Sequence, residues 1–151
     1  MKKIINVIWV LLILGAVLDG TQMRVKAGNL VYGDYEYSQN PSDKTISIIK
    51  YNGKDSEVEI PQKINGMNVV SISEEAFQFN DTIVDVVIPE GVTGIGSSAF
   101  SCCSNLKQVS FPDSLEKIGF TAFYNCESLE NIYIPENVNT IATEALSLIH
   151  I

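Results

Sequence analysis

From Pro61 onward the apolar residues fall into columns spaced 23 residues apart. Ile72, Ile95, Ile118 and Ile141 form one column, Ala76, Ala99, Ala122 and Ala145 a second, and Phe77, Phe100, Phe123 and Leu146 a third. Shorter columns run Ile83, Leu106, Leu129; Val86, Val109, Ile132; and Ile88, Phe111, Ile134. Each unit opens on a proline, with PEGVTGIGSSAFSCCSNLKQVSF from Pro89, PDSLEKIGFTAFYNCESLENIYI from Pro112 and PENVNTIATEALSLIHI from Pro135. The unit from Pro61 to Ile88 has 28 residues, and its extra five fit Asn65 to Val69, where Asn-Gly predicts a turn between Ile64 and Val70. A repeat of this length cannot bury its own apolar face, so the units must stack.

Within a unit the pattern L-x-x-V/I-x-I/F-P alternates with period two, which predicts a short strand. Val109 and Phe111 then face one side while Gln108 and Ser110 face the other. Proline lacks an N–H and pushes the residue before it toward extended geometry, so it ends the strand at the same place in every coil. The Ala-Phe pair belongs to a compact turn or a short helical segment, with Phe filling the interior. Stacking lays like residues on like, with parallel strands about 4.8 Å apart in a curved sheet. Val58 and Ile60 share the phase of Val86 and Ile88 relative to the following proline, so Glu57 to Ile60 forms the first strand of the stack. Upstream, LVYGDYEY and TISIIKYNG are rich in Tyr and β-branched residues, with a candidate turn at Asn52 and Gly53. Residues 28–57 are therefore expected to form a β-rich N-terminal cap, and residues 58–151 the repeats, in units starting near 61, 89, 112 and, incomplete, 135.

These units resemble the BspA-type leucine-rich repeats of bacterial surface proteins, whose pattern runs roughly C-x-x-L-x-x-I-x-I-P-x-x-V-x-x-I-G-x-x-A-F. CSNLKQVSFPDSLEKIGFTAF from Cys103 to Phe123 and CESLENIYIPENVNTIATEAL from Cys126 to Leu146 carry the likeness. The first unit departs from it with Asn80 in the cysteine column. The glycine column reads Ser73, Gly96, Gly119, Ala142, so a positive φ is not its requirement. The resemblance implies a leucine-rich-repeat solenoid, with short parallel strands in a curved sheet, compact turns or short helices opposite, and a non-catalytic protein-binding role.

The N-terminus follows a different pattern. Met1, Lys2 and Lys3 precede fifteen residues, Ile4 to Leu18, in which only Asn6 is strongly polar. As a helix this run would rise about 22 Å, short of a hydrocarbon core of roughly 30 Å, so a secretory signal is favoured over a retained anchor. Val25 and Ala27 place small residues before a cut at Gly28, giving a signal peptide over 1–27 and no mature transmembrane segment. The whole chain has 151 residues and a net charge of -8. Beyond the cut, 124 residues carry six basic and seventeen acidic side chains, a net charge of -11. That acidity repels phosphate backbones and anionic headgroups, which argues against nucleic-acid or membrane-surface partners.

Little in the chain suggests catalysis. The sole histidine, His150, stands next to the end, and no nucleophile elbow, phosphate loop or calcium-loop spacing occurs. The paired acids Glu74 and Glu75, and the alternating Glu57 and Glu59, lack the two contrasting environments that glycoside hydrolysis needs, so they read as a solvated acidic face. Cys103 and Cys126 occupy one column of adjacent coils, slightly too far apart for an unstrained bridge, and read as buried thiols. Cys102 is the candidate reactive or intermolecular thiol. Three cysteines without a fourth ligand do not make a zinc site, and neither metal nor cofactor is expected. Asn80-Asp81-Thr82 spells a glycosylation sequon, yet Asn80 falls in an interior column and is read as structural.

The informative positions are the variable ones between inward residues: Asp85 and Val87, Gln108 and Ser110, Asn131 and Tyr133. In a leucine-rich solenoid they line the open sheet face, a rigid platform for another protein. Phe120 and Tyr124, four apart around the Ala-Phe turn, are further binding candidates, with packing against a neighbouring coil the stronger reading. The leader and the variable positions suggest a secreted or surface-displayed binding module, and the resemblance to BspA-type proteins implies adhesion to extracellular or host matrix proteins, or to other cell surfaces. The alternative is a structural spacer or ancillary domain of a larger secreted enzyme. The last unit supplies only 17 of 23 residues, and LSLIHI replaces the expected cysteine, leucine and strand, which predicts a fragment or a truncated reading frame.

Overall fold

The structure, a computed structural model, describes residues 24–26 and 29–149. The expected signal peptide lies outside the described residues except for Arg24–Lys26. These three residues form strand β1, antiparallel to β2 (Asn29–Tyr32). Strands β3 (Tyr35–Asn40) and β4 (Thr45–Tyr51) complete an antiparallel meander. Its reversals fall at Gly33-Asp34, where Gly33 has a φ of 55°, and at Pro41–Lys44. In the second, Asp43 Oδ1 accepts hydrogen bonds from the Thr45 N–H and hydroxyl. Asn52 and Gly53 are not a hairpin turn, contrary to expectation. They lie on an irregular connection because the chain must leave β4 and cross to another sheet. The Asn52 N–H donates to the Asp34 carbonyl at 2.8 Å, and its side-chain amide donates to the buried Glu36 carboxylate at 3.2 Å.

From there the chain coils, and each full turn contributes to two parallel ladders. The first is a three-stranded sheet of β5 (Glu57–Glu59), β8 (Asp85–Val87) and β10 (Gln108–Ser110), extended by a bridge from Gln108 to Asn131. β5 is the first strand of this stack, as its phase implies. The second ladder is built from β7 (Met67–Ile72), β9 (Gly94–Ile95), β11 (Lys117–Ile118) and β12 (Thr140–Ile141). It joins the meander through β4, which runs parallel to β7. The isoleucine column lies in these strands, but β9, β11 and β12 have two residues each, too few to display an alternation, so this ladder has no repeating periodic signature. β6 (Lys63–Ile64) pairs antiparallel with β7 across Asn65 and Gly66, whose φ values of 51° and 78° make the expected Asn-Gly turn.

The Ala-Phe segments are turns, and no helix occurs among the described residues. Every coil places two non-glycine residues in the left-handed region there. Glu75, Ser98, Thr121 and Glu144 form one column and Phe79, Cys102, Asn125 and Leu148 the other, all with φ between 50° and 60°. This geometry aims alternate N–H groups at the next coil. Glu75, Phe77 and Phe79 donate to the carbonyls of Ser97, Ala99 and Ser101 at 3.0, 2.7 and 3.0 Å, and Ser98, Phe100 and Cys102 repeat the pattern toward Phe120, Ala122 and Tyr124. A third backbone ladder therefore joins the coils without any strand.

Inside, the columns become stacks. Ring centroids are 5.2 Å apart for Tyr51 and Phe77, 4.7 Å for Phe77 and Phe100, and 5.2 Å for Phe100 and Phe123. Tyr51 thus takes the phenylalanine place in the coil supplied by β4. The glycine column answers to close approach and not to φ: a Cβ on Gly119 would lie 2.7 Å from Gly96 C and Ser97 N of the preceding coil.

Candidate protein-binding surface

Alternation along β5, β8 and β10 decides what the three-stranded sheet shows to solvent. Val58, Val86 and Val109 point inward and are buried. The residues on either side of each valine point outward, and the parallel register sets them in two rows across the strands. Glu57, Asp85, Gln108 and Asn131 form one row. Glu59, Val87 and Ser110 form the other, at whose end Tyr133 stands two residues past Asn131. Val87 is 44% and Tyr133 77% exposed, so two apolar groups meet water on an otherwise polar surface. Shallow depressions of about 530 and 780 Å³ follow the rows, the second flanked by Lys107 and Glu130. Tyr35 supports the edge, its hydroxyl reaching the Glu59 carbonyl at 3.4 Å. Burial raises the ionisation of that hydroxyl well above the usual tyrosine range.

The structure therefore brings six of the eight sequence-derived candidates together: Asp85, Val87, Gln108, Ser110, Asn131 and Tyr133. Phe120 and Tyr124 stand apart, in the turn ladder, where their carbonyls accept from Ser98 and Cys102. Phe120 is 49% exposed and Tyr124 is half-buried. Sequence reasoning missed Phe79, 69% exposed beside a cleft of about 410 Å³ between the first turn and Lys50–Lys54. The available signal was its column, which otherwise holds Cys102, Asn125 and Leu148 and so is not an interior one.

The cysteine column is structural in its geometry. Cys103 and Cys126 are unbridged and buried, and their thiols donate to the carbonyls of Phe77 and Phe100 at 3.2 and 3.1 Å. Burial pushes both thiols up to about 12. Asn80, in the same column, accepts at Oδ1 from the Thr82 N–H and hydroxyl and from the Ile83 N–H at 2.9 to 3.1 Å. Its side-chain oxygen is thus engaged in the turn. Cys102 is half-buried in its left-handed position.

Residues 50–151 match the model of the BspA type leucine rich repeat region, in six copies. The chain belongs to this family of BspA-type leucine-rich-repeat proteins. Among solved structures it resembles a T. pallidum leucine-rich-repeat protein at 34% identity and a TM-score of 0.70, over 72% of this chain and 50% of that one. A leucine-rich-repeat protein from Bacteroides ovatus gives 29% and 0.71, over 79% and 33%. One from Bacteroides capillosus gives 26% and 0.70, over 81% and 96%. The chain thus spans half the length of the first and a third of the second. No curated protein matches the chain. BspA-type repeats are typically non-catalytic protein-interaction modules, and proteins that carry them are generally secreted or displayed at the surface. Among the described residues no helix is long and apolar enough to cross a membrane.

Proposed function

We propose that the chain is a secreted or surface-displayed adhesion module that grips extracellular or host matrix proteins, or partner cells, through the face of its three-stranded sheet. The observation that carries this reading is the contrast within each strand. The inward valines repeat, while the outward residues change from coil to coil on a backbone fixed by hydrogen bonds. A surface held this way binds without ordering a loop, which lowers the entropic cost of association. The exposed Tyr133 is the kind of amphipathic aromatic that anchors interfaces.

A panel of immobilised matrix proteins, probed with the exported and purified full chain, tests the reading. Binding to at least one of them, lost on Ser110→Trp with the fold retained, is the expected outcome. A folded chain that binds none of them sinks the proposal. It would favour the second reading, a structural spacer or ancillary domain of a larger secreted enzyme, which is kept in view by the relatives of two and three times the matched length.

A further inference from the structure

The sheet face is not uniform, and its gradient specifies a partner. At its N-terminal edge Glu57, Glu59 and Asp85 lie on adjacent strands in register. None of the three forms an ion pair or side-chain hydrogen bond with another described residue. Two strands further on the rows end in Asn131 and the exposed ring of Tyr133, with Val87 between the two regions. The face therefore runs from carboxylate to aromatic within four neighbouring strand positions. Lys107 and Glu130 flank its neutral half with opposite charges.

Spacing turns this gradient into a sequence preference. Three strand steps of about 4.8 Å separate β5 from Tyr133, roughly 14 Å in all. An extended segment laid across the strands presents every second side chain to the sheet, about 6.6 Å apart, so residues i and i+4 are about 13 Å apart. Resting on the binding role proposed above, we infer that the sheet face takes an extended protein segment with basic residues at i and i+2 and an aromatic residue at i+4. The basic pair meets Glu57, Glu59 and Asp85, and the aromatic residue meets Tyr133. A partner of this kind satisfies the charge that the scaffold leaves open and covers its exposed apolar groups in one contact. Electrostatic complementarity of this sort sets partner choice and association rate.

The test uses the full chain and three synthetic nonapeptides in a titration at low and moderate salt. One contains Lys-Ser-Lys-Ser-Trp, the second Glu-Ser-Glu-Ser-Trp, and the third keeps the two lysines but moves the tryptophan next to them. The first should bind at least tenfold more tightly than the second and several-fold more tightly than the third. Combined Glu57→Gln, Glu59→Gln and Asp85→Asn should weaken it at least tenfold and flatten its salt dependence, with Tyr133→Ala erasing the difference between the first and third peptides. Equal binding of the first two peptides, no binding of the first, or indifference to the triple neutralisation overturns the inference. The matrix-protein panel with Ser110→Trp is scored separately, so the binding role can stand while this partner chemistry falls.

Discussion

The sheet side and the turn side of each coil solve the same problem in opposite ways. Both must bond one coil to the next, and both do so through backbone groups. On the sheet side the extended chain leaves every second side chain outside the packing, so Asp85, Gln108 and Asn131 follow one another without penalty. On the turn side the bonds require left-handed residues and a coil separation that leaves no room for a Cβ at Gly119. Variation is therefore inexpensive on one side and constrained on the other, and a binding surface belongs where variation is inexpensive.

The largest expected effect falls on the core that both sides share. Phe100, fully buried between Phe77 and Phe123, should destabilise the fold by roughly 3 to 5 kcal/mol on replacement by Ala. Chemical denaturation measures this, and a midpoint unchanged within error would show that the aromatic stack is not a source of stability. Next comes a direct contrast within one coil. Gly119→Ala drives a Cβ against the backbone of Gly96 and Ser97 and should cost about 1 to 3 kcal/mol, while Ser110→Arg on the sheet face should stay within about 0.5 kcal/mol. Ala142 occupies the glycine column one coil later, which marks how far the backbone can yield. Equal losses at the two sites would erase the distinction between the sides.

The buried thiols add a pH signature. Burial raises their folded values to about 12, well above the ordinary thiol range, so the folded state favours the neutral thiol. The resulting stability is fully present below about pH 9 and is lost as pH rises toward 12. At pH 10 each thiol should account for about 1 kcal/mol of lost stability. Thermal melts at pH 8 and pH 10 should differ less for Cys103→Ala than for the parent; an identical difference would argue against burial of that thiol. The smallest effect concerns Phe79, a bulky residue held left-handed. Asn tolerates that backbone better, as Asn125 does in the same column, so Phe79→Asn should raise stability by up to about 1 kcal/mol. A fall in the melting midpoint would mean that the Phe79 ring packs more firmly than its exposure suggests.

How much of this was legible in the sequence follows from what repeats. A column of isoleucines or phenylalanines declares itself, and so does the alternation that put Asp85, Val87, Gln108, Ser110, Asn131 and Tyr133 on one surface. The second sheet did not, because Gly94–Ile95, Lys117–Ile118 and Thr140–Ile141 are single pairs of residues. The turn ladder was hidden for a different reason. Its left-handed positions hold Glu, Ser, Thr, Phe, Cys, Asn and Leu, most of which do not advertise that backbone. Tyr51 was equally obscure as a member of the phenylalanine column, since the 28-residue unit after it breaks the register.

The turn ladder also gives the solenoid a polarity. Strand bonds alternate in direction and their dipoles largely cancel. The bonds from Glu75, Phe77 and Phe79 all point toward the following coil, and the next coil repeats them in line. Peptide dipoles added in this way resemble those of a helix, but with the positive pole toward the C-terminal coils. The negative pole lies toward the coil of Tyr51, whose N–H donates to the Ala76 carbonyl, and the cleft on that side is lined by Lys50 and Lys54 together with Glu75 and Asp81. The stack therefore carries an electric axis along its turn side, set by backbone groups and independent of which side chains fill the columns.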